Sequence, residues 1–233
     1  MALAPQRGFQ PSSDGFAFAN SWPPEPAISM ATAFGDIDIG NAKDGLCGGM
    51  VFAVLDYWYA GLTPPTEQPQ PKTPLYKFLV RRIIDSWHVP VGVAQYFTWM
   101  NLPDGDVGFS AFGRKVVVEH GVSGRTITQQ WPAIRKDLDR GIPSALGLVT
   151  VESRNPADLG MNHQVLAYGY NVDGKQVTIQ VYDPNSGQDD GVTISFDTSQ
   201  PTKATTFKHN IDIGHPVRGF FRTAYSPAVP PAP

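Results

Sequence analysis

Among 233 residues the chain has a single cysteine, Cys47, which stands in "DGLCGGM" directly before the apolar run "VFAVLDYWYA". The first turn of a helix presents unpaired N–H groups and a positive dipole end, which favour thiolate, the nucleophilic form of cysteine. The flanking glycines leave the backbone bare and point to an accessible thiol. Cys47 is therefore read as a nucleophile, the plainer alternative being a small residue that lets helices pack. A nucleophilic thiol needs a base to take its proton and a third group to fix the base's tautomer. His163 heads the strand-like "HQVLAYGYNV", and Asp183 closes the next such run, "KQVTIQVYD". The turn signal "NVDGK" between them makes the two a hairpin, and antiparallel pairing sets the start of one strand beside the end of the other. His163 and Asp183 are expected as neighbours. Asn185 competes for the orienting role, but it lies past Pro184 in the loop, whereas Asp183 ends the strand; "DPNSG" is also good turn chemistry in its own right.

The remaining candidates carry less. His88, His120, His209 and His215 form no pair at metal-ligand spacing, and one cysteine excludes a multi-cysteine zinc site. "GLCGG" lacks the Lys-Ser/Thr ending of a phosphate loop. No metal or cofactor is expected. Asp44 is read as a cap or turn residue before the Cys47 helix.

The elements that must hold these residues follow from periodicity. Cys47 to Ala60 reads as a helix stopped by Gly61 and by Pro64 and Pro65. Thr73-Pro74 caps and opens the next, with Leu75, Phe78, Leu79, Ile83 and Trp87 as its buried face. Pro90 to Met100 and Pro132 to Arg140 complete a helical stretch over about 46–140. From Ile142 onward short runs rich in β-branched and aromatic residues, "PSALGLVTV", "HQVLAYGYNV", "KQVTIQVYD", "GVTISF" and "VRGFFRTAY", read as strands. Helices first and strands second imply an α+β domain of two layers. Residues 1–34 read as an irregular arm kept ordered by Phe16, Phe18 and Trp22, residues 35–225 as the domain, and 226–233 as a disordered Pro/Ala tail.

The segments "GLCGGM", "NHQVLAYGY" and "VYDPNSG" resemble the papain-like cysteine peptidase superfamily, and most its bacterial C39-like peptidase branch. There a Cys-Gly helix start is followed by a histidine-headed strand and a "DP" strand end. The resemblance spans roughly residues 35 to 200, and its specific content is these three motifs. It implies a nucleophile helix packed on a C-terminal antiparallel sheet, with Cys47, His163 and Asp183 as the triad. The family also uses a glutamine six residues before the nucleophile to help bind the oxyanion; Asn41 stands there, with the same amide on a shorter arm. The implied activity is thiol-dependent hydrolysis or acyl transfer on a peptide-like amide, without cofactor. A papain-like domain kept for binding alone, and a transglutaminase-like acyl transferase with the same residue order, are the alternatives.

Composition narrows the partners. Charged residues are 17%, the net charge is −3, and the basic residues are scattered, so no nucleic-acid partner is expected. There is no apolar run of about 18 residues and no signal-peptide core, so the chain reads as soluble, with no membrane partner, cytoplasmic or secreted after processing. The partner left is a peptide or other amide substrate.

Overall fold

The computed structural model describes residues 8–22, 28–32, 35–39, 46–87, 91–111 and 114–232. In chain order the elements begin with a single turn α1 (Pro11–Asp14) and a hairpin β1 (Ile28–Thr32) and β2 (Gly35–Ile39). Three helices follow: α2 (Cys47–Ala60), α3 (Pro74–Ser86) and α4 (Val91–Met100). A second hairpin pairs β3 (Val107–Ala111) with β4 (Arg114–Glu119). Helix α5 (Val122–Arg125) then runs through a π-helical turn, Thr126–Gln130, into α6 (Trp131–Leu138). Strands β5 (Ser144–Val149), β6 (His163–Asp173), β7 (Gln176–Tyr182), β8 (Thr193–Asp197), β9 (Lys208–His209) and β10 (Gly219–Arg222) complete the chain. The molecule is α+β.

Local chemistry accounts for the helix limits. Helix α2 ends where Gly61 takes the left-handed conformation, φ 67°, and its N–H caps the carbonyls of Tyr57 and Trp58. Thr73 caps α3 by accepting the Tyr76 N–H, with Pro74 in the first turn where no donor is needed.

The six-stranded sheet is antiparallel throughout, ordered β10-β5-β6-β7-β8-β9. Its two edges meet: an antiparallel bridge joins Phe207, beside β9, to Val217, before β10. The sheet is thus curled, and strand alternation sends side chains to two cores. Leu166 and Tyr182 face outward onto α2, α3 and α4 in a cluster with Met50, Val54, Leu79 and Tyr96. Val165, Ala167, Val181, Ile194 and Phe207 face into the curl, filled from the helical side by Ile127, Trp131 and Ile134.

Several expectations change. The two-layer reading misses the second core inside the curl; the strands are apolar on both faces, as doubly covered strands must be. The arm is less irregular than expected, since it holds α1 and β1, the latter paired with β2 just beyond it, and Phe9, Phe16, Phe18 and Trp22 lie in the outer core. The stretch read as wholly helical contains β3 and β4. The tail expected to be disordered is docked. Ser226 accepts from Arg82, Ala228 donates to Asp56 at 2.8 Å, and Pro231 accepts the Tyr57 hydroxyl at 3.0 Å. Proline lacks an N–H but its carbonyl accepts normally, so a Pro/Ala segment can lie on a surface wherever donors and acceptors meet it.

Candidate active site

Cys47 is the first residue of α2. The preceding Leu46 supplies no side-chain cap, so the positive end of the helix is turned to the thiol. The glycines act differently from the sequence reading. Cys47 is only 7% exposed, and Gly48 and Gly49 are buried. A β-carbon on Gly49 would overlap the Leu79 carbonyl of α3, and one on Gly48 would come within 2.7 Å of the Gln164 amide nitrogen. They are glycines because α3 and β6 approach the helix start closely, not because the backbone is open.

His163 opens β6 and Asp183 immediately follows β7. Both share the inward parity of Val165 and Val181, which sets them side by side at the rim of the curled sheet. His163 Nε2 lies 2.9 Å from Asp183 Oδ1. Cys47 lies close enough to the imidazole for its charge to act on it. With Nε2 on the carboxylate, Nδ1 is the nitrogen left for sulfur. Burial alone would lower the His163 pKa; the charges of Asp183 and Cys47 and the hydrogen bond to Asp183 outweigh it and hold the pKa well above its ordinary value. Burial likewise pushes Asp183 upward, but the charge and hydrogen bond of His163, the nearby His209 imidazole and the Asn185 N–H keep its carboxyl well below the ordinary range.

Asn41 and Asp44 lie outside the described residues, as does His88. Asn185 contributes through its backbone, donating to Asp183 Oδ1 at 2.8 Å, while its side-chain oxygen accepts from Asn20 at 3.3 Å. The carboxylate that meets the His163 ring is that of Asp183.

Residues the sequence reading passed over complete the surroundings. Asn20 of the arm accepts the Leu46 N–H at 2.7 Å and donates its own N–H to the Pro184 carbonyl at 2.9 Å, linking the cysteine loop to the aspartate loop. Tyr96 donates to the His163 carbonyl at 3.3 Å; burial foremost, and the nearby Cys47 charge, raise its pKa so that it stays protonated. Gln164 donates to Ser86 across a buried contact of 3.2 Å. His209 stands 3.0 Å from the second oxygen of Asp183. Nothing in "FANSW" marks Asn20. His209 did leave a signal: Phe207, His209 and Ile211 alternate as an inward strand face, and a histidine in such a stripe needs a polar partner.

Beside Cys47 a pocket of about 20 Å³ is lined by Ile83, Trp87, Val93, Tyr96, Leu159 and Gln164, with room for about one water. No three or more His, Cys, Asp or Glu among the described residues are grouped to hold a metal ion. No helix there is long and apolar enough to cross a membrane. Compared with known proteins, the chain matches no family model, no curated protein and no solved structure.

Proposed function

We propose that this chain is a thiol-dependent hydrolase or acyl transferase acting on a peptide-like amide, with a papain-like layout of nucleophile helix and antiparallel sheet. The observation that carries the reading is the buried imidazole of His163 bound to the Asp183 carboxylate, with Cys47 close beside it. Cys47 sulfur, as thiolate, attacks the substrate carbonyl carbon while His163 holds the proton. The C–N bond then breaks as His163 passes that proton to the leaving nitrogen, giving a thioester and a free amine. Water, or an acceptor amine, activated by His163 resolves the thioester and restores the thiol. Asp183 keeps the imidazole in one tautomer and balances its positive charge. The Cys47 N–H and the Asn41 amide are the proposed oxyanion donors.

Turnover of a library of short peptides and aminoacyl amides tests this. The wild-type chain is expected to release amine, and Cys47→Ala to lose the activity by at least about 10³-fold, as expected when a nucleophile is removed. Turnover by Cys47→Ala equal to wild type would refute the reading.

A second reading, a domain of the same descent used for binding without turnover, is favoured by one observation. Cys47 is 7% exposed, and the pocket beside it admits little more than a water. It expects capture of ligand with no amine released by either form.

A further inference from the structure

Asp183 carries one more partner than the orienting of His163 requires, and it comes from β9, two strands away on the same inward face. Oδ1 already takes His163 Nε2 at 2.9 Å and the Asn185 N–H at 2.8 Å. Oδ2 faces His209 Nε2 at 3.0 Å, with the imidazole side chain 3% exposed and the carboxylate fully enclosed. We infer that His209 is a positioning residue for the triad: a neutral imidazole whose Nε2–H holds Oδ2 of Asp183, so that Oδ1 stays directed at His163. This deepens the catalytic reading proposed above and rests on it.

The tautomer follows from the backbone. The Ile211 N–H donates to His209 Nδ1 at 3.3 Å, so Nδ1 is an acceptor and the ring proton sits on Nε2, facing the carboxylate. A second proton would set Nδ1–H against the Ile211 N–H. The contact to Oδ2 is close but falls short of hydrogen-bond alignment, both atoms lacking an aligned partner. Its pull is therefore chiefly that of a polar N–H on an anion.

The need for such a partner is physical. Rotation about the terminal bond of an aspartate is soft and roughly twofold, so a carboxylate held at one oxygen can turn its plane. A second oxygen enclosed without any donor would also carry the desolvation cost of an unpaired anion lone pair. His209 removes both problems from its place on β9, two strands from β7. The titratable groups around Asp183 are His163 from β6, His209 from β9, Cys47 beyond His163, and its chain neighbour Tyr182, whose pKa burial raises.

The test compares wild type, His209→Ala and His209→Gln, the last keeping an N–H near the Nε2 position, by NMR titration of the His163 ring and by iodoacetamide alkylation of Cys47 from pH 5 to 9. Expected is a fall of about one unit in the His163 midpoint and an alkylation rate near pH 6 slower by about 5- to 50-fold in the alanine variant, with most of both regained in the glutamine variant. If His209→Ala does not fold, His209→Met fills the space without a donor and takes its place. An unchanged His163 midpoint in the donor-free variant, or a loss that glutamine does not repair, would overturn the inference while leaving the triad intact. An ordinary His163 titration in the wild type itself would instead remove the triad reading beneath it.

Discussion

At the residue scale the interaction that matters most is the His163–Asp183 pair, and its charge state sets a pH window. Asp183 is held below the ordinary carboxylate range, so its stabilising contribution is present above about pH 4 and lost as pH falls through the depressed native value. His163 is held above its ordinary value, so its contribution is complete below about pH 6.5 and lost as pH rises through the raised native value. Denaturant unfolding of wild type and Asp183→Asn should therefore differ most between about pH 4 and 6.5, by roughly 1.5–3 kcal/mol for a charged buried hydrogen bond. The difference should narrow on both sides. A constant offset across pH would mean that the pair is not ionised in the native protein.

At the scale of elements, the start of α2 is determined by what packs on it. Replacing Gly49 by alanine should gain up to about 1 kcal/mol of helix propensity but drive a methyl group into the Leu79 carbonyl of α3. Overpacking of this kind costs typically about 1–3 kcal/mol, so a net fall in thermal midpoint is expected, measurable by circular dichroism. An unchanged or higher midpoint would show that α3 yields freely. This contact also shows what the sequence could convey. The limits of α2 and α3 were legible because Gly61, Thr73 and Pro74 are local signals, and the β6–β7 hairpin because its alternation and turn are local too. That His163 and Asp183 would be neighbours followed from hairpin geometry alone. The glycines beside Cys47 were misread because the element that requires them, α3, begins far along the chain. His209 was passed over because its neighbour depends on where β9 pairs beyond β8, which no spacing encodes. The β3–β4 hairpin, with Val107, Phe109, Val116 and Val118 exposed, lacks the half-buried pattern by which strands are recognised.

At the scale of the whole molecule, the chain ends close the structure around the helical side of the site. Buried Asp56 is raised by burial, opposed by hydrogen bonds from Tyr225 and Ala228 and by Arg82, which lies 2.7 Å from its carboxylate. Deleting residues 225–233 removes two of these donors and should destabilise the fold by roughly 2–4 kcal/mol, since a buried charge left short of partners is costly. A truncated chain with unchanged denaturation midpoint would show that the tail only rests on the surface. The arm closes the other side: Asn20 ties the Leu46 N–H to the loop after Asp183, so arm, helix and sheet meet at the proposed site. Its chemistry is read most directly from the rate of Cys47 alkylation by iodoacetamide against pH, in wild type and His163→Ala. Below pH 7 wild-type Cys47 is expected to react about 10- to 100-fold faster than an ordinary thiol, because an imidazole and a helix N-terminus stand beside the sulfur, and His163→Ala to remove most of that excess. A wild-type rate that follows an ordinary thiol titration near pH 8.5, unchanged by His163→Ala, would contradict it.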